Sequence, residues 1–154
     1  MKVLITRLTN VFADQRVGSD IVNSISAIFI ALFVYTASDK LFGMNEFVSF
    51  IKSLEMMEYF GTFLAWSIPV SEILISMLLL FPLTRFNGLI ASGGLMLVFT
   101  VYLVYMKLTV AQLPCHCGGA ISRLSWSAHI WFNLLLIILA GLGIILSWRF
   151  KRKL

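Results

Sequence analysis

Cys115, His116 and Cys117 put two thiols on either side of an imidazole, in the stretch QLPCHCGG. They are the chain's two cysteines, and one of its two histidines lies between them. A Cys-x-Cys pair can close only a very small ring, which meets the separation and torsion of a disulfide with strain. Strained, exposed disulfides are the oxidising, readily exchanged ones. Protonated His116 beside both sulfurs, and the start of an apolar helical segment shortly after Cys117, would each favour the reactive thiolate. Pro114 before the pair and Gly118–Gly119 after it supply a turn and an open approach. Two other readings compete. A static bridge would constrain almost no chain and so stabilise little. A metal site would draw on Cys115, Cys117, His116 and His129, but structural zinc usually takes cysteines spaced by two to four residues.

Other polar residues sit where polarity is costly. Glu72 falls within an apolar run, three residues after Pro69, and an ionisable group at membrane depth is a functional candidate by default. It could take a proton during redox chemistry, or form a structural pair with Lys40. Lys40 ends an earlier apolar run, where snorkelling to the interface is the simpler expectation. His129 and Asn133 are one helical turn apart and share a face. That face suits proton handling, hydrogen bonding to a quinone, or interhelical bonds that hold a bundle.

The elements that must position these residues follow from composition. Of 154 residues, 60% are hydrophobic and only 12% charged, far from the proportions of a soluble domain. Apolar runs at about 21–38, 62–81, 88–106 and 129–148 are long enough for helices that cross a bilayer. Unbroken Leu, Ile, Phe and Val argue against spanning strands, which alternate. The fold class expected is all-α: an integral membrane four-helix bundle with short amphipathic surface helices. The first run is the weakest, since it carries Asn23, Ser24 and Ser26. Residues 1–20 read as an interfacial segment and residues 149–154 as a basic tail. Between the first two runs, Phe47, Phe50, Ile51 and Leu54 recur at helical spacing. Asn45 is the expected N-cap of that amphipathic helix.

Lys and Arg set the orientation. The ends and the loop between the second and third runs hold eight basic residues: Lys2, Arg7, Arg16, Arg85, Arg149, Lys151, Arg152 and Lys153. The other side holds four: Lys40, Lys52, Lys107 and Arg123. Both termini are therefore expected in the cytoplasm. The Cys-x-Cys turn is then periplasmic, in a bacterial inner membrane, where disulfides persist. The same asymmetry accounts for the net charge of +5, and no basic stripe points to nucleic acid.

The chain resembles the methylamine utilisation protein MauE family, grouped with the four-helix DoxX-like membrane proteins. The stretches FVYTASDKLFG, AWSIPVSEILISMLLLF, CHCGG and LSWSAHIWFNLLL carry the likeness. The resemblance implies a redox-associated membrane protein linked to disulfide formation in periplasmic partners, and relatives tied to quinone chemistry. It places the redox pair at Cys115 and Cys117, with Lys40, Glu72, Trp126 and Asn133 in support. Many members have Phe-Gly after the second Cys and an Arg before the Asn; here Gly118–Gly119 and Phe132 stand there. DsbB and vitamin K epoxide reductase are also four-helix bundles, but relay electrons through two Cys pairs. One pair here means direct contact with a quinone or exchange with a thioredoxin-like or other exported thiol partner. The rival readings are a non-catalytic membrane subunit anchoring a larger complex, and a carrier of metal or small solutes.

Overall fold

A computed structural model describes residues 2–52, 59–109 and 126–151. Five helices make up the described residues: α1 (Lys2–Phe42), α2 (Met44–Lys52), α3 (Gly61–Leu80), α4 (Arg85–Thr109) and α5 (Trp126–Lys151). Four of them contain stretches long and apolar enough to cross a membrane: Val17–Phe42, Gly61–Leu80, Arg85–Tyr105 and Ser127–Arg149. The protein is a multi-pass, all-α membrane bundle. Successive long helices run up and down, as the Arg85–Asn23 and Lys107–Ser127 bonds require, so the start of α1 and the end of α5 share one face. The other face carries α2 and the two ends of the 110–125 connection.

The polar residues that weaken the first span in sequence, Asn23, Ser24 and Ser26, find partners. Ser24 and Ser26 donate back to the carbonyls of Asp20 and Val22 at 2.9 and 2.8 Å. Asn23 Oδ1 accepts from the Arg85 guanidinium. A hydroxyl bonded to its own helix costs little in an apolar solvent. Ser76, Ser92 and Thr100 follow the same rule on α3 and α4. α1 also continues without a break through residues 2–20.

Helix ends follow local chemistry. Phe81, which precedes Pro82, is extended (φ −89°, ψ 125°) and stops α3, as the residue before a proline favours. Thr84 Oγ1 then donates to the Leu78 carbonyl at 2.8 Å, and Arg85 Nε to that of Leu79 at 3.3 Å. Two of the four orphan carbonyls of the helix end are thereby satisfied. At the other face, Gly43 joins α1 to α2: its N–H donates to Asp39 O and its carbonyl accepts from Phe47 N–H, both at 3.0 Å. Asn45 is therefore one residue inside α2 and not its cap. The carbonyl at Gly43 takes the first bond because α2 follows α1 almost without interruption.

Two apolar clusters hold the bundle. Phe29, Phe33, Leu79, Leu89, Leu136 and Ala140 lead the larger one, toward the terminal face. Phe47 and Ile51 of α2 pack on Ala65 of α3 in the smaller. The amphipathic α2 thus lays its apolar face on the bundle.

The α3–α4 hairpin is tightest beside its turn. A Cβ at Gly88 would lie 2.9 Å from Leu79 Cδ2 and 3.1 Å from the Leu79 backbone nitrogen. At Gly141 a Cβ would meet nothing within 4 Å. Opposite signs are expected for the same substitution. Gly88→Ala should destabilise by about 1–3 kcal/mol through overpacking against backbone. Gly141→Ala should be neutral or stabilise by up to about 1 kcal/mol through helix propensity. Unfolding in lipid nanodiscs would measure both.

Candidate functional site

Lys40 and Glu72 meet inside the bundle. Lys40 ends α1 in sequence terms, but its side chain turns inward rather than toward the interface. Its Nζ donates to Glu72 Oε1 at 2.5 Å and lies 5.6 Å from the centre of the Phe99 ring. The two side chains are 12% and 1% exposed. Snorkelling gives way to pairing because Glu72, mid-helix on α3, cannot reach water, whereas the flexible lysine stem can reach Glu72. Charged groups in such a place are tolerated when paired.

The pair forms one wall of a cavity of about 440 Å³ in the half of the bundle nearest α2. α1 contributes Leu32, Thr36 and Lys40; α2 contributes Phe47, Phe50 and Ile51; α3 contributes Leu64, Ser67, Ile68, Ser71 and Glu72. α4 adds Leu95, Phe99, Tyr102 and Leu103 among others, and α5 adds His129, Phe132 and Asn133. Four residues singled out from sequence, Lys40, Glu72, His129 and Asn133, therefore share one chamber. His129 and Asn133 reach it together because a spacing of four keeps both on the inward face of α5. The size and mostly apolar lining, with a few convergent polar groups, are those of small-molecule sites.

Cys115, His116 and Cys117 lie outside the described residues. Trp126 opens α5. The two ends of the connection that carries the cysteines are held together: Lys107 Nζ on α4 donates to Ser127 Oγ on α5 at 3.1 Å. Both ends are close in sequence to cavity residues, Leu103 and His129. Among the described residues, no three His, Cys, Asp or Glu side chains gather as a metal cluster would require.

The pattern of the family described as methylamine utilisation protein MauE matches residues 19–146, most of the chain. The chain belongs to the MauE family. The match takes in two spans whole and nearly all of the first and last, together with the Lys40–Glu72 pair, the cavity and the Cys-x-Cys turn. No curated protein and no solved structure matches the chain.

Several cavity residues of this MauE-family chain escaped the sequence reading: Thr36, Ser67, Ser71, Phe99 and Tyr102. A signal existed for some of them. Thr36 is one turn before Lys40, and Ser67 and Ser71 are one turn apart beside Glu72, so each continues a polar stripe already begun. Ser67 and Ser71 spend their hydroxyl protons on the carbonyls of Phe63 and Ile68, both at 2.7 Å, leaving oxygen lone pairs at the lining. Phe99 and Tyr102 carried no signal, since aromatic residues on an apolar helix face every direction alike.

Proposed function

We propose that this chain is a membrane redox protein that carries out periplasmic thiol–disulfide exchange through Cys115 and Cys117. In the oxidising direction, a thiolate of an exported partner attacks one sulfur of the Cys115–Cys117 disulfide. The S–S bond breaks and a mixed disulfide forms. The partner's second thiolate then attacks the mixed disulfide and releases the second cysteine. The partner loses two electrons and two protons, and Cys115 and Cys117 become thiols. A quinone, or a thioredoxin-like protein acting on the cysteines, accepts the two electrons and two protons and restores the bridge.

One observation supports this reading above the rest. α4 and α5, the two helices joined by the segment that carries Cys115 and Cys117, both line the cavity that gathers Lys40, Glu72, His129 and Asn133. The rival reading, a non-catalytic subunit of a larger membrane complex, draws on the same buried ion pair as a purely structural clamp.

The test is the redox state of Cys115 and Cys117 in intact cells, read by mass after treatment with a membrane-impermeant alkylating reagent. Thiol exchange predicts two modifications after a mild reductant and none after a thiol oxidant. Labelling that appears only after the membrane is permeabilised would place the turn on the cytoplasmic side. Labelling that appears only after unfolding would mean a static bridge. Either result would overturn the proposal.

A further inference from the structure

Glu72 has two carboxylate oxygens and the bundle satisfies one. Oε1 accepts from Lys40, while Oε2 is buried and makes no hydrogen bond of good geometry; the Thr36 hydroxyl lies near the carboxylate but is directed to the Phe33 carbonyl at 3.3 Å. A carboxylate oxygen that far from water costs free energy unless a donor reaches it. Glu72 is also a wall of the cavity, so a donor carried by an occupant could reach it. We infer that the cavity is a binding site for a membrane-soluble phenol, whose hydroxyl donates to Glu72 Oε2.

The chemistry narrows the occupant from several sides. Glu72 and Lys40 already neutralise one another, so an occupant with its own charge would enter an apolar chamber without a counter-ion. With Oε1 bonded to the Lys40 Nζ, Oε2 is left as the acceptor, and an occupant that brings an O–H or N–H satisfies it. The walls supply rings, with Phe47, Phe50, Phe99 and Phe132 among them, and rings are packed best by another ring. A phenol unites an uncharged body, an aromatic face and a strong donor.

The entrance also follows from packing. α3 and α4 are in close contact at Gly88 and Leu79, next to their turn. Nearer α2, both helices line the cavity instead. Val98 of α4 is a lining residue and yet 61% exposed, so it marks a mouth on the outer surface of a spanning helix. An occupant would enter sideways from lipid, between α3 and α4. The inference concerns the cavity alone and goes beyond thiol exchange.

The test uses the full-length protein in lipid nanodiscs with two probes, 4-octylphenol and 4-octylanisole, which differ in whether the ring oxygen carries a proton. The phenol is expected to bind saturably, roughly 10- to 100-fold tighter than the ether, as a hydrogen bond to a charged acceptor warrants. Glu72→Gln, with a neutral acceptor, should shrink that preference to a few-fold. Should that variant fail to fold, Val98→Trp keeps the question open to answer. An indole across the mouth should weaken both probes while preserving their ratio. The double variant Cys115→Ser/Cys117→Ser should bind like the parent, which separates this site from the fate of the exchange reading. Equal affinity for the two probes, no saturable binding of the phenol, no effect of Val98→Trp, or loss of binding in the double cysteine variant would each overturn the inference.

Discussion

Replacing Lys40 with methionine is expected to cost about 3–5 kcal/mol of stability, the range for breaking a buried ion pair by removing one partner. The methionine fills the space of the lysine stem, so the loss is electrostatic and not steric. It leaves Glu72, 1% exposed, as a charge without a counter-ion on the middle of α3. That carboxylate has a short stem and no route to the interface. The reverse substitution, Glu72→Gln, should cost less. Lys40 is two residues from the end of α1, and its long chain can swing out to the headgroup region. The double variant Lys40→Met/Glu72→Gln should recover most of the loss, because an uncharged pair carries no desolvation penalty. A double-mutant cycle in nanodiscs, followed by denaturant or steric-trap unfolding, reads the coupling directly. Equal costs for the two single variants, or additive costs in the double, would show that Lys40 does not stabilise the bundle by neutralising Glu72.

Phe33→Ala is expected to cost about 2–3 kcal/mol, while Phe63→Ala stays within about 0.5 kcal/mol of the parent. Both are phenylalanines on spanning helices, and their burial decides the difference: Phe33 is fully buried and Phe63 is 73% exposed. Lipid tails are as apolar as a protein core, so helix association gains nothing from hydrophobic transfer. Moving Phe63 from lipid in the dissociated helices to lipid in the bundle therefore changes little. Phe33 is different because it packs tilted against Phe29, with ring centres 5.7 Å apart, inside the larger cluster. Its removal leaves a void, and the cost scales with void volume at about 24 cal/mol per Å³. Phe33→Leu should retain more than half of the lost stability. A cost at Phe63 as large as that at Phe33 would mean that its outer face is covered by another protein surface.

Much of the architecture was legible because the bilayer is an exacting solvent. Long apolar runs must be helices, since nothing in hydrocarbon can satisfy an open backbone, and four runs gave four spans. The amphipathic spacing of Phe47, Phe50 and Ile51 foretold α2 and its buried face. Glu72 declared itself by being charged in an apolar run, and His129 with Asn133 by sharing a helical face. The weakness of the first span was misleading: Asn23, Ser24 and Ser26 look unfavourable in a list of residues. They are satisfied in space by helix carbonyls and by Arg85, sixty-two positions away.

What the residues alone determined is therefore membrane residence, helical class, the number of spans and the identity of the chemically unusual groups. Each is a property of short stretches in an apolar solvent, governed by length, period and charge. The tertiary structure decided which of those groups meet. Lys40 turns inward because α3 brings Glu72 beside it; α2 closes the chamber because its apolar face finds Ala65; Thr36, Phe99 and Tyr102 join the lining because four helices converge there. These are long-range pairings, and hydrophobic periodicity is silent on them, since one apolar helix face packs against any other almost equally well.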